Sequence, residues 1–236
     1  MVAGHRGLRL EYPDNTLEGI LAASAVCDMV EFDVRSTRDG VAVLSHDAHL
    51  DGRAIIDMEW ATLAELDVGN GLHPARLDDV LDAAGKCPFN FEIKNSPADP
   101  DFDPTFAFAC EVARRASPED LITCFHWPTV DAVRDAYPNL STGLLVDPTG
   151  SLAEAADWAM RRGHQVIAPH WSLLAGPSIV ETATLAKQGL EVVVWTVNDE
   201  DVARCLDDAG ATTIITDDPI RMFAVLKGRR LDEYQG

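Results

Sequence analysis

The sequence predicts a (β/α)8 barrel, and three observations carry that expectation. Eight short apolar runs recur along the 236 residues, each of strand rather than helix length. Amphipathic segments lie between them, so strand and helix patterns alternate as in a parallel α/β sheet. A ninth apolar run, "VAVLS" (Val41–Ser45), follows Asp39-Gly40. That pair is a tight-turn signal and leaves no room for a crossover helix, so the run is expected to return antiparallel as one arm of a hairpin. The count stays at eight, which favours a closed barrel over an open doubly wound sheet.

In chain order the predicted strands are "VAG" before His5, "MVEFDV", "FNFEIK", "LITCF", "TGLLV", "QVIAPH", "EVVVWT" and "TTIIT". The predicted helices are "TLEGILAASAV", "RLDDVLDAAG", "FAFACEVARRA", "TVDAVRDAY", "LAEAADWAMRRG", "SIVETATLAKQG" and "DVARCLDDAG". Several of these end in Gly, a usual helix stop. Two stretches read as long loops: residues 47–75, rich in Asp and Gly, and "NSPADPDFDP" (Asn95–Pro104). With no linker of biased composition, residues 1–236 are expected to form one barrel domain with a short insertion over 47–75.

Hydrophobic residues make up 47% and charged residues 25% of the chain, the balance of an ordinary globular protein. No apolar run reaches the roughly 20 residues that span a bilayer. The start, "MVAGHRGLRLEYPDN", lacks the apolar core of a signal peptide. Five widely spaced cysteines form no C-x-x-C pair, which argues for buried thiols in a reducing cytoplasm rather than disulfides or zinc. A formal charge of −20 opposes an encounter with nucleic acid or an anionic membrane surface. Oligomeric state is not legible.

Barrel active sites lie at the C-terminal ends of the strands. Those ends hold His5-Arg6, Glu31 and Asp33, Glu92 and Lys94, Phe125-His126, His170, Trp195 with Asn198, and Thr216-Asp217. Side chains two apart on a strand share a face, about 7 Å apart, so Glu31 and Asp33 point together, and Glu92 and Lys94 repeat the arrangement. Three converging carboxylates repel one another unless a cation offsets them. Oxygen-only donors are hard, which points to Mg²⁺ or Ca²⁺, with Mn²⁺ as a further fit. The competing reading is a carboxylate pair neutralised by Arg35 or Lys94.

His5 suits general acid or base work, and Arg6 beside it offers a planar fork to a phosphate. His46 closes the hairpin arm. Two histidines, three acids, Arg6 and Lys94 together match the needs of in-line phosphoryl transfer. His126 and His170 are each either pocket walls or structural histidines; His49, His73 and His164 read as loop or surface residues. Trp195 is either a core indole or a wall for an apolar part of the substrate, and the wall is the favoured reading.

The motifs "HRG" (His5–Gly7), "PDNT" (Pro13–Thr16), "EFDVRSTRDGVAVLSHD" (Glu31–Asp47), "FEIK" (Phe91–Lys94), "VWTVN" (Val194–Asn198) and "GATTIITDDP" (Gly210–Pro219) together resemble the glycerophosphodiester phosphodiesterases. The resemblance implies a (β/α)8 barrel that cleaves glycerophosphodiesters to an alcohol and glycerol 3-phosphate. Carried over by position, it implies His5 and His46 as the acid–base pair and Glu31, Asp33 and Glu92 as ligands of a divalent metal. It further implies Arg6 and Lys94 on the phosphate and Trp195 at the glycerol or alcohol.

The chain departs from that pattern at Asp14, where the family usually has Glu, and at Cys124-Phe125, where it usually has Ser-Phe. It departs again at Arg76-Leu77, usually Thr-Leu, and in its short segment after His46. The short segment implies a more open site. A lysophospholipase D or sphingomyelinase D-like activity is the rival reading, and a non-catalytic phosphodiester-binding module is a more distant one.

Overall fold

The eight apolar runs form eight parallel strands in the computed structural model, which describes residues 1–228. They are β1 (Val2–His5), β2 (Met29–Ser36), β3 (Phe89–Ile93), β4 (Leu121–Cys124), β5 (Ser141–Val146), β6 (Val166–Pro169), β7 (Glu191–Val194) and β8 (Thr213–Thr216). Each pairs in parallel with the next. β8 pairs back onto β1 with Val2 beside Ile214, which closes the barrel.

A helix follows each strand: α1 (Leu17–Ser24), α2 (Leu77–Ala83), α3 (Ala107–Ala113), α4 (Trp127–Ala136), α5 (Leu152–Arg162), α6 (Val180–Lys187), α7 (Glu200–Asp208) and α8 (Pro219–Lys227). The last was absent from the predicted helices. Its start is nonetheless marked by Pro at the first turn and by Asp218, whose carboxylate accepts the Arg221 N–H. Thr16, Ser151 and Asp199 cap α1, α5 and α7 in the same way. Gly163, at φ +80°, ends α5 in the left-handed conformation glycine permits.

Strand alternation sorts the side chains into two layers. Val30, Phe32 and Val34 of β2 face the helices and join the outer core, where the rings of Phe32, Phe89 and Phe91 pack with centroids 4.9–6.2 Å apart. Truncating any of these costs about 3–5 kcal/mol. The inner layer, from Ala3, Met29, Leu121, Leu145, Val166, Ala168, Val193 and Ile215, plugs the barrel below the polar residues that follow them along the strands.

The ninth run returns as predicted: Ala42–Leu44 pairs antiparallel with the end of β2, Arg35 lying beside Val43. Residues 47–75 are more ordered than their composition suggested. They contain a two-residue hairpin (His49–Leu50 with Arg53–Ala54), a 3-10 turn (Ile55–Asp57) and a single helical turn (Trp60–Leu63). Val43, Ile55, Met58 and Leu63 bury a small core of their own beneath this segment. Among the described residues no helix is long and apolar enough to cross a membrane.

The five cysteines are free, but only Cys124 is fully buried, and Cys205 is exposed. Cys205 sits on α7, whose inward face is supplied by Ala203 and Leu206. His164 also departs from expectation: it is buried rather than at the surface. It precedes β6 at the bottom of the barrel, with Nδ1 2.9 Å from Thr142 Oγ1 and Nε2 2.8 Å from Asp131.

Candidate active site

The register places the predicted residues side by side. His5, ending β1, lies opposite Glu31 of β2, and Asp33 lies opposite Glu92 of β3. Partners on adjacent parallel strands present their side chains to one face, and here that face is the barrel interior near its C-terminal mouth. One carboxylate oxygen from each of Glu31, Asp33 and Glu92 lies within 4.8 Å of the other two.

Glu31 is buried; its Oε2 accepts the Arg6 backbone N–H at 2.9 Å, while Oε1 has no partner. Burial first, then the charges of Asp33 and Glu92, push its carboxyl well above the usual range against Arg6 and Lys94. Burial also acts to raise Asp33. The charges of Lys94 and Arg6, with hydrogen bonds from Lys94 and Asn15, more than offset it and bring Asp33 down to about 2. Lys94 lies 2.8 Å from Asp33 and also pairs with Glu92. A convergent oxygen-only set with an orphaned buried oxygen is chemically suited to a hard divalent cation.

The two loops above β1 knit together. Arg6 adopts φ +58° and Asn15 φ +60°, left-handed conformations that cost a non-glycine residue energy and concentrate at functional sites. Gly7 is required by closeness: a Cβ there would stand 2.8 Å from the Gly19 backbone. The Asn15 amide donates to Asp33 Oδ2 at 2.8 Å while its carbonyl accepts the Asp33 backbone N–H. Arg6 reaches Asp14 and Asp33 at 3.1 and 3.2 Å. Asp14, shorter than the Glu usual at that place, still reaches both Arg6 and Arg9.

His5 Nδ1 lies 2.7 Å from Asp217 Oδ1. A carboxylate only accepts, so Nδ1 carries a proton and Nε2 is the nitrogen left for chemistry; Nε2 stands 4.0 Å from Glu31. Asp217 also accepts from Arg9 and from Asn198. His46 has the same pattern in an exposed setting, with Nδ1 2.7 Å from Asp47 Oδ1. Arg6, Asn15, His46 and His49 line one cleft of about 360 Å³ whose apolar wall includes Leu44 and Ile55.

The Trp195 indole N–H donates to the Ala168 carbonyl at 2.7 Å. Its ring meets Phe125 and His170 edge to face, at 5.4 and 5.0 Å. His170 caps a 3-10 turn through Ser172. His126 bonds Thr129 and packs against Phe102 and Phe106, so it belongs to the loop wall.

A family model described as the glycerophosphoryl diester phosphodiesterase family matches residues 5–221. The chain belongs to this family. A glycerophosphodiester phosphodiesterase of Caldanaerobacter subterraneus is 27% identical over 243 residues, covering 96% of this chain and 98% of the relative. A mouse lysophospholipase D is 31% identical over 112 residues, 39% of this chain and 34% of its own. Among solved structures, an Oleispira antarctica phosphodiesterase in complex with the product sn-glycerol-3-phosphate superposes with a TM-score of 0.83. It covers 96% of both chains at 21% identity, a likeness of fold.

Of the residues expected from the sequence, His5, Arg6, Glu31, Asp33, Glu92 and Lys94 are in mutual contact, His46 shares a cleft with Arg6, and Trp195 stands apart against Phe125 and His170, with three qualifications. Arg6 and Lys94, expected on a phosphate, here pair with Asp14, Asp33 and Glu92. Arg35, weighed as a neutraliser of the Glu31–Asp33 pair, instead bonds Asp99, Asp101 and the His46 carbonyl. The sequence alone assigns no role to Asp217 or Asn15. Both lie within family-like motifs, Asn15 in "PDNT" and Asp217 in "GATTIITDDP", and the position of Asp217 two residues beyond Ile215 places it on the inward face.

Proposed function

We propose that this enzyme cleaves glycerophosphodiesters to an alcohol and glycerol 3-phosphate, with His5 and His46 as the acid–base pair. The observation that carries the reading is the buried Glu31–Asp33–Glu92 cluster, with its orphaned oxygen, beside the His5–Asp217 pair. Those three carboxylates would hold a divalent cation, Mg²⁺ or Ca²⁺ with Mn²⁺ a further fit, which supplies charge stabilisation to the phosphoryl oxygens when bound.

The chain's own residues do the rest. Arg6 lines the cleft and presents its fork to a non-bridging oxygen; Lys94 adds a second positive charge from the C-terminal end of β3. One histidine, neutral, takes through Nε2 the proton of the attacking water or of the glycerol's neighbouring hydroxyl, while the other, as the imidazolium, gives its Nε2 proton to the leaving alkoxide. Asp217 and Asp47 each accept an Nδ1–H, which leaves both Nε2 atoms to exchange protons with the substrate. Trp195 offers its face to the glycerol or alcohol. Small, diffusible substrates suit a chain of charge −20, and the five free thiols suit the cytoplasm.

The test is turnover of glycerophosphocholine, glycerophosphoethanolamine and glycerophosphoinositol with Mg²⁺ or Ca²⁺, repeated with His46→Ala. Loss of at least about 100-fold in a folded variant is expected; near-normal turnover would remove His46 from the chemistry. A second reading, lysophospholipase D activity, is favoured by the apolar wall of the cleft, where Leu44, Leu50, Ile55, Leu63 and Val68 stand beside His46. Lysophosphatidylcholine in the same panel separates the two by kcat/KM.

A further inference from the structure

Arg35 is the third residue in the alternation that places Glu31 and Asp33 inward, yet it serves neither. It is 4% exposed, and its five N–H groups meet five acceptor contacts. Nε and Nη2 both donate to the His46 carbonyl, at 3.0 and 2.9 Å. Nη1 donates to both oxygens of Asp101 at 2.8 Å, and Nη2 to Asp99 at 2.9 Å. Asp101 is itself buried, its side chain 3% exposed.

His46 needs such an anchor. Its ring is tied to Asp47, and both side chains are exposed, 44% and 80%; an ion pair in that setting restrains little. The firm hold is on the backbone, where two guanidinium N–H groups converge on one carbonyl. The acids on the other side of the guanidinium are fixed in turn. They sit in the loop from Asn95, whose buried side chain bonds the Asp103 backbone N–H and carbonyl and the Thr129 hydroxyl of α4.

We propose that Arg35, braced by Asp101 and Asp99, is a positioning residue that sets His46 for proton transfer. It thereby links the end of β2 and the loop after β3 to an acid–base residue carried on an excursion from the barrel. This rests on the assignment of His46 above. Displacing a reacting group by about 1 Å costs on the order of 100-fold in rate, so a buried clamp on an exposed histidine has a kinetic consequence that a surface ion pair lacks.

The experiment is a double-mutant cycle with His46→Ala, measured on glycerophosphocholine with saturating Mg²⁺. Arg35→Met is expected to lower kcat roughly 10- to 100-fold with KM within about twofold, and to have no further effect in the His46→Ala background. Because Arg35→Met leaves Asp101 buried without its partner, Asp101→Asn is run in parallel. It keeps the shape of the clamp and is expected to give a smaller kcat loss that also vanishes without His46. If Arg35→Met does not fold, the Asp101→Asn cycle decides. Equal losses in both backgrounds, or unchanged kcat in folded single variants, overturn the proposal while leaving His46 in place. Near-normal turnover of His46→Ala alone removes His46 from the chemistry, and the clamp with it.

Discussion

His5 Nδ1 and Asp217 Oδ1 lie 2.7 Å apart across the seam where β8 closes on β1. Burial pushes the Asp217 carboxyl up, but hydrogen bonds from His5 and Asn198 and the charges of His5 and Arg9 outweigh it and hold the group well below the usual carboxylate range. It is therefore a fixed anion throughout the working pH range. Asp217→Asn keeps the shape but can present an N–H to His5 and favour the wrong tautomer, with the proton on Nε2. We expect kcat to fall by on the order of 100-fold or more with KM changed less than about threefold. Parallel measurement of kcat and KM checks this; an unchanged kcat would leave Asp217 as a structural partner only.

The orphaned Glu31 Oε1 makes a prediction about stability that needs no turnover. A cation that binds the folded cluster and not the unfolded chain stabilises by about 2.7 kcal/mol at 100 times its Kd. Added Mg²⁺ or Ca²⁺ should therefore raise Tm after exhaustive chelation. Glu31→Gln, which keeps the volume and removes the charge, should abolish the rise. Chelator should also abolish activity in the unmodified enzyme. Equal Tm values with and without either ion would separate the acidic cluster from metal binding.

Trp195 is held by its N–H on the Ala168 carbonyl and by Phe125 and His170 against its ring. The proposed contact with substrate uses the ring rather than the N–H. Trp195→Ala should raise KM roughly 10-fold, a loss of aromatic contact worth about 1.4 kcal/mol, with a smaller effect on kcat. Trp195→Phe should recover most of it. A variant that lowers kcat and leaves KM alone would move Trp195 from binding to framework.

Much of this was legible because the barrel writes its geometry into alternation. Glu31 and Asp33 share a face by spacing alone, and the same count carried to Arg35 and Asp217 would have marked both. What alternation does not encode is which loops meet. The pairing of Asn15 with Asp33, or of Asp99 and Asp101 with Arg35, depends on closures between segments 18 to 66 residues apart. The stretch Asn95–Pro104 reads as a long loop because its composition is that of turns; its order comes from buried partners elsewhere. His164 was misplaced for a related reason. It follows the helix-ending Gly163, a usual surface position, and only Thr142 and Asp131 make burial tolerable there.

That burial carries a pH dependence whose sign can be worked out. Burial lowers the His164 pKa from 6.5, and the hydrogen bond and charge of Asp131 recover only part of the loss. The unfolded chain therefore binds the proton first as pH falls, and folded stability contributed by neutral His164 is full above about 6.5 and declines below it. His126 and His170, also lowered by burial, act in the same direction, so the comparison must be between proteins. Denaturant unfolding at pH 7.5 and 5.5 should show a smaller drop for His164→Gln than for the unmodified chain. At pH 7.5 the variant should itself be less stable by about 1–3 kcal/mol, the cost of imperfectly replacing two buried hydrogen bonds. An identical pH slope in the two proteins would mean that burial leaves the His164 ring unshifted, and a larger drop in the variant would mean that the folded ring is protonated and paired as an ion with Asp131.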